Sequence, residues 1–132
     1  MVGNHLTYIR NEARRRITVT IVGPVQLEDL TAVIERQAAE NTWRYAMLYD
    51  ERAVTTPLSV DATRRLATLV AELTLAHGPR GPVAIVCRSV DQFGMARMYS
   101  ILAETRANLD SNVFYELAAA ATWLSDRTAA ST

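Results

Sequence analysis

The sequence contains no lysine, a single cysteine (Cys87), two histidines, five glycines and four prolines. Each shortage excludes something. One cysteine cannot form an intrachain disulfide, so nothing points to an oxidising compartment. With His5 and His77 far apart, there is no CxxC pair, no HExxH and no acidic calcium loop, so no metal or cofactor site is expected. The few glycines build no phosphate loop: GPRG (Gly78–Gly81) precedes an apolar strand-like run instead of a helix and reads as a turn. Charge of either sign is not in excess. Fourteen acids balance fourteen bases, every base being arginine, which removes any global attraction to nucleic acid and leaves anionic lipid only a local patch to use. No run approaches the roughly 18 apolar residues of a membrane-spanning helix. The opening MVGNHLTYIRNE lacks the apolar segment of a secretion signal, and a cytoplasmic protein is expected.

What remains is ordinary globular composition, 49% hydrophobic and 21% charged. The length suits one domain, expected over residues 1–125, with a frayed polar tail over 126–132.

Periodicity sets out the elements. His5–Arg10 and Arg16–Gly23 read as strands flanking the loop NEARR, and Ile17, Val19 and Ile21 alternate with more polar neighbours. Leu27–Ala39 reads as a helix with Leu27, Leu30, Ile34 and Ala38 on one face and Glu28 and Asp29 in its first turn. Trp43–Tyr49 predicts a third strand. Val60–Ala76 predicts a helix carrying Leu66, Leu69, Val70 and Leu73 at helical spacing, closed by Gly78. Pro82–Cys87 is apolar throughout, as a strand covered on both faces should be. Ser89 caps a helix near Val90–Arg106, and a strand near Asn112–Tyr115 precedes a helix over Leu117–Leu124. The order β-β-α-β-α-β-α-β-α predicts an α/β fold: a mainly parallel sheet of about five strands with an antiparallel N-terminal hairpin strand and four helices.

The stretches Val22–Glu35 (VGPVQLEDLTAVIE), Ala46–Asp50 (AMLYD), Val83–Glu104 (VAIVCRSVDQFGMARMYSILAE) and Val113–Leu124 (VFYELAAAATWL) together resemble the bacterial STAS-like proteins. These include the anti-sigma factor antagonists, and the small stand-alone members are also compared with the CRAL-TRIO lipid-binding fold. The resemblance implies a non-enzymatic regulatory or protein-interaction domain. It also implies that Asp50 matches a strand-end acid and that Ser59 matches the phosphorylated serine of a DSSG-like motif. The flanks of Ser59 depart from that motif: Leu58, Val60 and Asp61 stand where Asp, Ser and Gly would be. As a helix N-cap the serine needs no such flanks, and the cap is the preferred reading.

Two further sets are binding candidates. Phe93, Met95, Met98 and Tyr99 could form an apolar ligand or partner surface, because methionine suits adaptable contacts. Arg10, Arg14, Arg15 and Arg16 crowd the first hairpin and could meet lipid phosphates or an acidic partner. Cys87 at a strand end reads as core. The partners expected are a protein or a second copy of the chain, with an apolar ligand or a membrane surface as the alternative and no nucleic acid.

Overall fold

The computed structural model describes residues 5–130. Strands β1 (Leu6–Asn11) and β2 (Arg16–Pro24) make the antiparallel hairpin, with Leu6 opposite Ile21 and Asn11 opposite Arg16. Its tight turn puts Arg15 at φ 51° and is tied by the Arg14 backbone N–H donating to Asn11 Oδ1 at 3.1 Å. Helix α1 (Leu27–Ala39) leads to β3 (Ala46–Thr56), α2 (Val60–His77) to β4 (Val83–Val86), and α3 (Val90–Ala107) to β5 (Ser111–Phe114), before α4 (Leu117–Ala130). The strands lie side by side in sequence order, β1-β2-β3-β4-β5, and every pair after the hairpin is parallel. The expected α/β architecture is therefore observed.

Period-2 alternation divides the side chains of the sheet between two layers. Ile17, Val19 and Ile21 of β2, Met47 and Tyr49 of β3, and Val83 and Ile85 of β4 point into a large core shared with α1, α2 and α3. Ala46, Leu48, Ala84 and Val86 point the other way, onto Ala120 and Leu124 of α4. The β4 run is buried at all four positions, as its wholly apolar composition predicts.

Three boundaries differ from the sequence reading by more than one residue, each for a physical reason. β3 starts at Ala46, not Trp43, because the Tyr45 N–H closes a turn on the Thr42 carbonyl and the Trp43 indole donates to the Gly78 carbonyl at 2.8 Å. It then runs to Thr56 through the polar stretch DERAVTT. A register shift between Thr20 and Val22 of β2 lets β3 keep pairing with β2 after it has parted from β4 at Asp50. At the other end, α4 continues to Ala130, so residues 126–130 of the expected tail are helical, while residues 131–132 lie outside the described residues. The Arg127 guanidinium holds this extension, reaching Asp110 at 3.1 Å and lying over the Trp123 ring.

Candidate functional site

Helices α2, α3 and α4 begin beyond the carboxyl ends of the parallel strands β3, β4 and β5. Ser59 is the N-cap of α2: it is exposed, and its Oγ accepts from the Ala62 N–H at 3.1 Å. Asp61 follows in the first turn and pairs with Arg65. At α3 a capping box forms, with Ser89 Oγ accepting from the Gln92 N–H and Gln92 Oε1 accepting from the Ser89 N–H. The same Gln92 oxygen accepts from the Arg88 N–H, and its amide nitrogen donates to the Val54 carbonyl on β3. One buried side chain thus bonds the start of α3 to the end of β3.

Beneath this rim lies a cavity of about 50 Å³. Leu30 and Ile34 of α1, Leu66 of α2 and Ile85 of β4 give it apolar walls; Leu58, Met95 and Ala96 complete them. Tyr49, Tyr99, Thr63 and Gln92 bring polar atoms, and Glu51 brings the single formal charge of the lining. Tyr49 and Glu51 share one face of β3, two residues apart, so alternation aims both at the helix layer. Burial, and then the neighbouring Asp50 charge, push the Glu51 carboxyl up to about 7. Among the described residues its side chain makes no hydrogen bond or ion pair.

A second polar group supports the cavity from behind. Arg80, in the GPRG turn, is buried and donates to Gln37 Oε1 at 2.9 Å, to the Tyr49 hydroxyl at 3.2 Å and to the Tyr99 hydroxyl at 3.4 Å. Its guanidinium also lies 5.2 Å from the centre of the Trp43 ring. Gln37 in turn donates to the Thr42 carbonyl at 2.8 Å. This hub pins α1, β3 and α3 together and fixes both tyrosines that line the cavity.

The residues singled out from the sequence fall as follows. Asp50 is inside β3 instead of at its end, although it is the last β3 residue paired with β4. On the α4 side of the sheet it accepts two bonds from the Arg52 guanidinium, at 2.9 and 2.8 Å, which holds its carboxyl below the usual range. Of the α3 set, Met95 and Tyr99 line the cavity, Phe93 instead stacks on Tyr115 with ring centres 4.6 Å apart, and Met98 is half-buried away from the cavity. The buried face of α3 is Gln92, Ala96, Tyr99, Ser100 and Ala103, whose three small residues let the helix pack closely. The hairpin arginines have different partners. Arg10 pairs with Glu12, Arg10 and Arg15 both lie over the Tyr45 ring, and Arg16 reaches α4, donating to Ser125 Oγ at 3.1 Å. Arg14 is exposed on the turn.

Burial, and then the Glu51 charge, push the Cys87 thiol up to about 12, so it is protonated at neutral pH and supplies no thiolate. Among the described residues no group of three or more His, Cys, Asp or Glu could hold a metal ion, and no helix is long and apolar enough to cross a membrane.

Glu51 and Arg80 went unnoticed in the sequence. Glu51 had a legible signal, since Met47, Tyr49 and Glu51 continue one alternating face. Arg80 had none, because an arginine between glycine and proline looks like any solvated turn.

No family model matches the sequence, and neither does any curated protein. Among solved structures, the chain is similar to an uncharacterized protein of the DUF3478 family from Shewanella loihica PV-4, described as having a SpoIIAA-like fold. The two share 22% sequence identity over 90% of this chain and 91% of that one, with a TM-score of 0.56. The fold is therefore SpoIIAA-like, which is the STAS-like fold.

Proposed function

We propose that the protein is a non-enzymatic regulatory domain that docks a protein partner on the rim where α2, α3 and α4 begin. The observation that carries this reading is a set of large apolar side chains left in solvent there. Val60 is 46% exposed, Val90 78%, Tyr115 47% and Leu117 39%, and each lies at or just before a helix start. Exposed apolar groups gathered at one end of a domain mark interaction surfaces more often than chance. The SpoIIAA-like fold is compatible with such a role, and a cytoplasmic setting belongs to the same reading. Ser59 lies on this rim. A phosphate there would add about −1.5 to −2 charges beside exposed Val60 and would face repulsion from Asp61, so we assign Ser59 first to capping and second to switching.

A photo-crosslinking residue placed at Val90 should capture one partner in cells, either another protein or a second copy of this chain. The same residue at Ile101, which is exposed mid-helix on α3, should not. A rim that captures nothing, or no more than Ile101 does, would remove the proposal.

A second reading, an apolar-ligand protein, is favoured by the cavity under the rim. A whole acyl chain does not fit: at roughly 10–15 Å³ per water-sized group, the cavity takes about four heavy atoms. The occupant would be small.

A further inference from the structure

We propose that the cavity beside Glu51 binds a compact apolar molecule carrying one cationic group, an alkylammonium in the simplest case, whose charge meets the Glu51 carboxylate. The inference rests on the ligand-binding reading of this cavity and adds the chemistry of the ligand.

The sign of the charge follows from which groups are already used. An anionic ligand would need donors, and most of those around the cavity are taken; only the Tyr49 and Tyr99 hydroxyls, which accept from Arg80, keep an O–H to donate. The Ala62 and Gln92 N–H groups at the helix starts are capped by Ser59 and Ser89. The Gln92 amide is spent on the Val54 carbonyl, and the Thr63 hydroxyl on the Ser59 carbonyl at 2.8 Å. Arg80 commits four of its five N–H groups to Gln37, Tyr49 and Tyr99. The acceptor side is different. Glu51 faces the cavity with neither a donor nor a cation on it among the described residues, whereas its neighbour Asp50 is fully engaged by Arg52. A carboxylate among apolar walls is costly unless it is paired, and a ligand cation supplies the pairing that the protein withholds. The Tyr49 and Tyr99 rings in the lining suit the same charge.

Binding should strengthen as pH rises through neutrality, because only ionised Glu51 attracts the cation. The groups facing it do not share that window. Asp50 is held low by Arg52, while burial pushes the Cys87 thiol and the Tyr99 hydroxyl each up to about 12. α1 and α2 contribute only Leu30, Ile34, Leu66 and Thr63, and Arg80 stays cationic throughout. His5, which pairs with Asp29 at 3.3 Å, is outside the lining.

The test is a chemical-shift titration of the full chain with n-propylammonium, 1-propanol and propionate, three probes of nearly equal shape. At pH 8 propylammonium should bind at least tenfold tighter than propanol, and propionate should bind weakest, with shifts centred on Leu58, Met95 and Ala96. Lowering the pH to 6 should weaken propylammonium binding about tenfold, as the ionised fraction falls, and leave propanol unchanged. In Glu51→Gln the ammonium should lose its advantage at both pH values; should that variant fail to fold, the pH comparison on the native chain decides alone. Equal binding of ammonium and alcohol at pH 8 would overturn the cationic assignment while leaving an apolar-ligand cavity standing. Failure of every probe to shift the lining would overturn both.

Discussion

A carboxyl group on a sheet strand that points towards the core is an expensive residue, and at Glu51 the cost can be followed through pH. The group titrates at about 7 in the fold against an ordinary 4.5, so the folded state holds the proton more tightly than the unfolded one does. Its contribution to stability is then full below about pH 4.5 and is lost as pH climbs through 7. Glu51→Gln should flatten that slope, leaving the variant more stable than the native chain at pH 8 by about 1–3 kcal/mol and little changed at pH 5. Thermal melts at the two pH values would show it, and a native chain equally stable at both would contradict the environment described. Arg80 makes the opposite case. Its removal strands the Gln37 oxygen and leaves two tyrosine hydroxyls and a Trp43 face without their cation, so Arg80→Ala should cost about 3–5 kcal/mol. Urea unfolding measures this directly. A loss below about 1 kcal/mol would mean that the turn carries the arginine without depending on it.

At the level of elements, helix starts carry much of the local specification. Ser59→Ala should destabilise the chain by about 1 kcal/mol through the lost bond to the Ala62 N–H, and Ser59→Asp, also a good cap, should restore most of it. If Ser59→Asp instead abolished partner capture at Val90 while keeping stability, the serine would be a switch as well as a cap. Gln92→Ala should cost more than either, since that one side chain serves three backbone groups, those of Arg88, Ser89 and Val54. The helices were legible because these signals are local: acids and a capping serine at the start, apolar spacing along the length, and glycine or asparagine at the end. Leu27–Ala39 was legible to the residue. The course of β3 was not, because its second half is polar and is held by ladder bonds to β2 across a register shift, which no short window of sequence records. The buried face of α3 is not legible in the sequence for a related reason. Periodicity finds large apolar residues, but close packing here selected Ala96, Ser100 and Ala103 and left Ile101 more than half exposed. Gly81 escaped notice in the same way. A Cβ there would run into the Arg44 and Tyr45 backbone carbonyls, a contact made only once the turn meets the start of β3.

Across the whole molecule, three helices cover one face of the sheet and α4 covers part of the other, so the cavity and the rim share the thick side of the domain. They also share residues. Leu58 lines the cavity and adjoins Ser59, and Gln92 lines the cavity while forming the capping box of α3. A ligand that fills the cavity therefore touches the supports of both helix starts that present Val60 and Val90, and the two proposals become one mechanism if those supports tighten together. Binding that favours the folded state protects it by mass action, and protection is greatest where opening would break the contacts formed. Saturating propylammonium should slow amide hydrogen exchange at residues 57–66 and 88–96, with no change in the β1–β2 hairpin, which contributes nothing to the lining. Uniform slowing over the whole chain would mean global stabilisation without coupling to the rim. Slowing confined to β3 would mean a ligand site insulated from the docking surface. Only protection that reaches both helix starts makes the occupant of the Glu51 cavity a regulator of what the rim binds.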